Sequence, residues 1–384
     1  MSDATRVLPV VTDASAPPAT PAATPVVEQP WRPSRGGWVA RGVVWTLLGW
    51  VVLALPLNVL SPFEVGVTDV DVASLAVIYA IGALSLNVLL GYCGQISLGH
   101  QAFVGVGAFA SAYIVTNLQL SFFLAVGVAA LFGAVQAVLL GAVSLRLTGL
   151  YFALVTLAYG SFAQETLFGI TSLTGGEGGK PAPRPEFFTS GYRYYYLCLA
   201  FLALVLWIDW RLTASKAGRA MAALRENPRV ASSYGIDVRA YILVAFAVSG
   251  LFAGVAGALV AHHDEVIVPS SFDFRLALLF VLMTVVGGLR SRTGVVLGAI
   301  FFALLEEGAL VSMFRLEGFF EGLLGLPTEF VSLVVGPVLL VLTLTLYPGG
   351  IGQQVAPIRL WLTGHRFDRH AGAVDDVEVN DVRA

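Results

Sequence analysis

The chain has 384 residues, 57% of them apolar and 12% charged, with a mean hydropathy of +0.80, far from a soluble domain, in which about a quarter of residues carry charge. Its net charge of −3 gives no global pull toward nucleic acid, and the composition specifies a polytopic, all-α membrane helix bundle. Cys93 and Cys198 lie in different apolar segments and match no metal-ligand or disulfide spacing, so neither redox chemistry nor a metal site is implied.

In chain order, the first thirty residues carry Pro17, Pro18, Pro21, Pro25 and Pro30 among Ala and Thr and lack the continuous apolar core of a cleaved signal. They read as part of a disordered cytoplasmic tail over 1–37. Apolar runs bounded by polar residues or Pro then predict about ten spans within a membrane domain over 38–352: 43–60, 72–90, 102–116, 122–145, 151–170, 194–210, 241–261, 276–289, 295–313 and 330–346. The third, fifth and eighth are short or broken by Gly and polar residues, as broken or re-entrant segments are. Residues 353–384 read as a cytoplasmic C-terminal tail. With both termini inside, 17 of the 22 Lys and Arg fall on the cytoplasmic side, as the positive-inside rule requires.

Several polar residues interrupt these runs. Gln95, Ser97 and His100, beside Gly91, Gly94 and Gly99, would leave backbone groups unsatisfied in lipid. Two readings stand equally: they line a water-filled translocation path, or they form interhelical hydrogen bonds that only hold helices together. Gly105, Gly107, Gly127, Gly133, Gly250, Gly254 and Gly257 fall inside spans, where small residues let helices pack backbone to backbone. Carboxylates inside spans are costly and mark function or a partner, which singles out Glu165, Glu306 and Glu307. A proton-coupled carrier would use a carboxylate such as Glu306; the competing expectation is that Glu306 hydrogen-bonds across the bundle. His262, His263, Asp264 and Glu265 read as a solvated outer cluster, because four adjacent side chains converge poorly on one ion. The stretch Gly175–Lys180 continues with Pro181 where a phosphate-binding loop needs Ser or Thr, so no nucleotide site is expected in this chain.

Between two strongly apolar stretches runs a polar interval, Arg211–Arg239. Ala217, Ala220, Met221 and Leu224 recur at helical spacing while Lys216, Arg219 and Glu226 fall on the other face, predicting a short amphipathic helix. Pro228 ends it, a second turn over 229–234 follows, and Gly235 supplies a left-handed C-cap. Such an element either only fixes topology or seats in a groove on a cytoplasmic partner.

The stretch 218–259, GRAMAALRENPRVASSYGIDVRAYILVAFAVSGLFAGVAGAL, resembles the coupling loop and following helix of LivM-type permease subunits of ABC importers for branched-chain amino acids. Val230 and Ala231 fall where that loop has its small pair, and Gly235 where it has its glycine. Two further blocks are similar to the same family, NVLLGYCGQISLGHQAFVGVGAFASAY (87–113) and VVGGLRSRTGVVLGAIFF (285–302). YFALVTLA (151–158) with TGGEGG (174–179) favours the LivM-like over the LivH-like partner. The resemblance implies a transport subunit that is not an enzyme, carries no cofactor of its own and sits in the bacterial inner membrane. Its implied partners are a LivH-like second permease, an extracytoplasmic solute-binding protein and two cytoplasmic ATPase subunits that bind ATP and Mg. It also implies ATPase coupling through Arg219, Leu224, Arg225, Glu226, Asn227, Ala231 and Gly235; the candidate path residues are Gln95, Ser97, His100, Tyr151, Thr156, Thr174, Gly175, Gly176 and Glu306. Branched-chain or related amino acids are the implied solutes, with urea or short amides as the alternative and an ion-coupled carrier as the more distant one.

Overall fold

The computed structural model describes residues 35–54, 70–147, 149–306 and 349–363, with isolated helical residues between 338 and 347. Residues 1–34 of the tail expected over 1–37, Glu307, most of the tenth span and the C-terminal residues 364–384 lie outside the described residues.

Helices α1 (Arg35–Ala54), α2 (Val70–Asn87), α3 (His100–Thr116), α4 (Phe122–Ser144), α5 (Leu150–Phe162), a single turn α6 (Thr171–Thr174) and α7 (Gly191–Ala214) come first. Two short helices, α8 (Lys216–Glu226) and α9 (Pro228–Ser233), lead to α10 (Val238–Asp264), α11 (Phe274–Gly287), α12 (Arg292–Glu306) and α13 (Gly350–Leu362). Both α2 and α5 loosen into a π-turn at their C-termini, over Val88–Tyr92 and Ala163–Leu167. The two strands, β1 (Lys180–Pro181) and β2 (Val266–Ile267), pair antiparallel.

Four helices among the described residues are long and apolar enough to cross a membrane: 70–92, 122–143, 191–214 and 238–264. The first and last form the centre, with 83% and 67% of their apolar windows buried against 39% and 28% for the other two. Burial of nearly whole helices needs close neighbours, and the glycines supply them. A Cβ on Gly107 would lie 2.5 Å from the carbonyl of Gly254, and one on Gly254 2.9 Å from Ala130 Cα. Gly133 and Gly250 oppose each other's carbonyls, and Gly257 opposes that of Val104. The central α10 therefore touches α3 and α4 at backbone distance, where dispersion between main chains replaces a hydrophobic drive that lipid does not provide.

Helices α3 and α11 have 17 and 14 residues, below the roughly 20 a crossing needs, and α12 is described over 15. The α11–α12 turn packs on α13, because Gly287, Gly294 and Gly352 admit no side chain between them. Helix α13 spans residues 350–362, so the boundary expected at 352 falls inside it. Residues 35–37, expected in the N-terminal tail, begin α1.

Candidate functional site

Two features stand at the end of the bundle where α7 passes into α8. One is the short-helix element on its surface, the other a non-helical crossing just inside it.

The element follows its local chemistry. Ser215 caps α8 by accepting from Ala217 N. Ala220, Met221 and Leu224 are buried, the apolar face that the helical spacing predicts. Asn227 ends α8 in an extended conformation and caps α9, its Oδ1 accepting from Arg229 N at 3.0 Å and Val230 N at 3.2 Å. Pro228 takes the first position of α9, where its missing N–H costs nothing. Gly235 sits at φ +79° with open space around a would-be Cβ, so conformation rather than room demands glycine there. Asp237 then caps α10 through Arg239 N and Ala240 N. Arg211 belongs to α7 and Arg239 to α10, which leaves 215–237 as the element proper. Ala231 is buried, whereas Glu226, Asn227 and Arg229 are exposed, and Val230 and Tyr234 present 50% and 83% of their surface.

The crossing connects α2 to α3. After the π-turn, residues 93–99 run back without helix, and Gln95 N closes on Leu89 O at 2.9 Å. Leu98 N donates to Thr156 Oγ1 at 2.9 Å, and Gly99 lies against the Thr156 carbonyl too closely for any side chain. Thr156 on α5 is therefore the polar floor of the crossing. His100 opens α3 fully buried and pairs through Nε2 with Ser85 Oγ on α2. The Ser85 hydroxyl also donates to Gly82 O at 2.9 Å, so the pair takes Nε2–H as donor and leaves Nδ1 a bare acceptor. Ser85 precedes Tyr92 by seven residues, about 10 Å of helix, which sets His100 well inside the bundle. His100 Nδ1, Ser97 Oγ and Gln101 Oε1 are buried and meet no hydrogen-bond partner among the described residues.

Other expected path residues lie apart. Tyr151, in the first turn of α5, is 74% exposed on the flank of the bundle. Thr174 sits at the opposite end, donating to Phe168 O at 2.7 Å and accepting from Gly176 N at 3.2 Å; Gly175 and Gly176 follow at φ +79° and +64°. Glu306, at the end of the described part of α12, forms an ion pair with Arg275 of α11 at 2.9 Å. The structure thus brings Gln95, Ser97, His100 and Thr156 together, and leaves Tyr151, Glu306 and the 174–176 turn elsewhere.

The cluster expected to be solvated is only partly so. His262 is fully buried, its Nδ1 on the carbonyl of Pro183 at 2.8 Å and its Nε2 on Ser111 Oγ at 3.0 Å. Arg184 reaches Asp71 at 3.3 Å, Glu265 at 3.4 Å and the His263 carbonyl at 2.8 Å. These contacts fasten the loop before α7 over the ends of α2 and α10. No three metal-binding side chains converge among the described residues.

Sequence reasoning passed over a second polar knot. Asp209, fully buried on α7, accepts from Tyr92 OH at 2.9 Å and from Arg292, whose guanidinium also reaches Thr213. Asn87 Oδ1 accepts from Arg290 N at 3.0 Å. A carboxylate in the run LVLWIDW was the available signal.

Residues 70–343 match the family described as branched-chain amino acid transport system / permease component. The chain is 33% identical over 285 residues to the high-affinity branched-chain amino acid transport system permease protein LivM of Escherichia coli K12, an alignment spanning 67% of each chain. It is 26% identical over 303 residues, 78% of this chain and 87% of the relative, to a probable branched-chain amino acid transport permease protein LivH of Methanocaldococcus jannaschii. A 32% match over 153 residues to the E. coli LivH protein covers 40% of this chain and 44% of the relative. With its buried apolar helices, its interrupted crossing and this likeness, the chain belongs to the branched-chain amino acid permease family, as a LivM-type, multi-pass membrane subunit of an ABC importer and not an enzyme.

Proposed function

We propose that this subunit forms half of a translocation path for branched-chain or related amino acids across a bacterial inner membrane, beside a LivH-like second permease. Two cytoplasmic ATPase subunits, which bind ATP and Mg, dock on 215–237 and supply the work; a solute-binding protein delivers at the opposite end. The observation that carries this reading is the group of buried polar atoms, His100 Nδ1, Ser97 Oγ and Gln101 Oε1, that meet no partner among the described residues. A stranded buried acceptor costs about 1–3 kcal/mol, and a path that admits water and polar solute in one of its states recovers that cost. The exposed Val230 and Tyr234 in an otherwise polar element give the docking face its apolar anchors. Transport then needs two arrangements whose balance the ATPases bias. Tyr151 and the exposed side of α5 face the second permease in this scheme, and Thr174, Gly175 and Gly176 face the delivered solute.

The test is uptake of radiolabelled leucine against radiolabelled urea in vesicles carrying the copurified complex, with and without ATP. Leucine uptake that requires ATP is expected. Urea uptake alone would move the solute class to short amides, and uptake driven by an ion gradient without ATP would replace the importer by a secondary carrier.

A further inference from the structure

We propose that Arg225 is the positioning residue through which the surface element moves the crossing at 93–99, a proposal that rests on the docking of ATPases at 215–237. Arg225 is half-buried on α8, and its guanidinium donates to the carbonyl of Gly91. That carbonyl belongs to the π-turn at the end of α2, the negative end of the helix dipole, where a cation is favoured. The stem of the same side chain lies over Gly94, whose would-be Cβ would stand 3.3 Å from Arg225 Cγ. Gly94 is at φ +70°, so the chain turns back toward Ser97 and His100 directly under the arginine. Head and stem together clamp both ends of the turn that opens the crossing.

The rest of the α2 terminus is held by groups that do not belong to the surface element. Arg290 N binds Asn87, and Arg292 binds Asp209, which holds Tyr92. Both come from the α11–α12 turn, so the end of α2 is gripped from one side by the bundle and from the other by α8. Burial, and after it the neighbouring Arg290 guanidinium, push Arg225 below the ordinary arginine range, with Glu226 acting in the opposite direction. A displacement of α8 therefore acts on a charged contact between two competing grips, and the segment that follows carries Ser97 and His100. The apolar contacts of Met221 and Leu224 hold α8 on the bundle but offer the crossing no directional bond.

The test uses the complete complex in vesicles, with Cys198 replaced by Ala and the partner chains freed of cysteine, so that Cys93, 3% exposed within the crossing, reports on it. In this background a small water-soluble maleimide should label Cys93 at a rate that changes at least threefold when ATP is added. Arg225→Met should retain ATPase copurification and ATP hydrolysis, lose at least tenfold in uptake, and leave Cys93 labelling indifferent to ATP. Arg225→Lys, which still donates one bond to the carbonyl, should restore part of the uptake and of the ATP response. Gly94→Ala, which presses on the same clamp from the other side, should repeat the loss if Arg225→Met fails to reach the membrane. The proposal is overturned if Arg225→Met, or Gly94→Ala in its place, transports normally, or if Cys93 still follows ATP in that variant. Loss of ATPase copurification only in Arg225→Met would make Arg225 part of the docking surface and also overturn the relay. Absence of copurification with the unaltered chain would remove the docking reading itself.

Discussion

At the residue scale, the Ser85–His100 pair decides what the crossing can do. The imidazole is closed to water, and rings of Phe103 and Phe280 stand edge-on at 5.3 and 6.2 Å, so its only polar tether on the described bundle is Ser85. Replacing Ser85 by Ala strands the Nε2–H, at a cost near 1 kcal/mol, between the ~0.6 kcal/mol of an average interhelical hydrogen bond in a membrane and the 1–3 kcal/mol of a buried orphan donor. Ser85→Ala should lower the unfolding temperature of the purified subunit by a few degrees and reduce uptake more than expression. Unchanged uptake would return His100 to a merely structural role. Sequence reading found Gln95, Ser97 and His100 because they break an apolar run together. It missed Ser85 and Asn87 because a single small polar residue in an apolar helix leaves no local sign of its long-range partner.

Among the elements, 215–237 was the most legible, and for a physical reason. Its signals are all local: helical spacing of four apolar residues, a cap at Asn227, Pro228 at the next helix start and Gly235 at the stop. Each acts within a few residues: the apolar spacing and the left-handed Gly235 match the expectation, whereas Pro228, expected to end the first helix, opens the second, and the cap at Asn227 was not foreseen. The π-turns were not legible, since an extra residue in a helical turn is set by what packs on it. Gly235 gives the sharpest check at this scale. Open space surrounds it, so a substitution acts only through its left-handed backbone, worth roughly 1–2 kcal/mol for an ordinary residue and more for a β-branched one. Asn, which tolerates that region, should keep most uptake at Gly235, Ala less and Val least, while ATP hydrolysis persists in all three. Equal uptake in the Val and Asn variants would show that the turn carries no coupling.

Viewed as a whole molecule, the described part of the protein is a central pair, α2 and α10, packed with two further helices long enough to cross, α4 and α7, and with shorter ones such as α3 and α11. Composition disclosed the class and glycine spacing disclosed the packing, because both act through averages along a helix. The partition of carboxylates was harder to read. Asp209, fully buried inside the span expected over 194–210, drew no expectation, and Glu306, expected near mid-segment, is ion-paired to the 59% exposed side chain of Arg275. A carboxylate with a standing cationic partner near the surface is a poor proton carrier, and Glu306→Gln keeps a hydrogen bond to Arg275. That variant should transport at close to the unaltered rate with the same pH dependence; loss of uptake with normal assembly would revive proton coupling.

The claim that the 215–237 element is the seat of the engine is tested most directly by labelling Tyr234→Cys in oriented membrane vesicles. The reagent should reach it from the cytoplasmic face alone, and bound ATPase subunits should shield it. Labelling from the external face, or labelling that the ATPases leave untouched, would contradict the account.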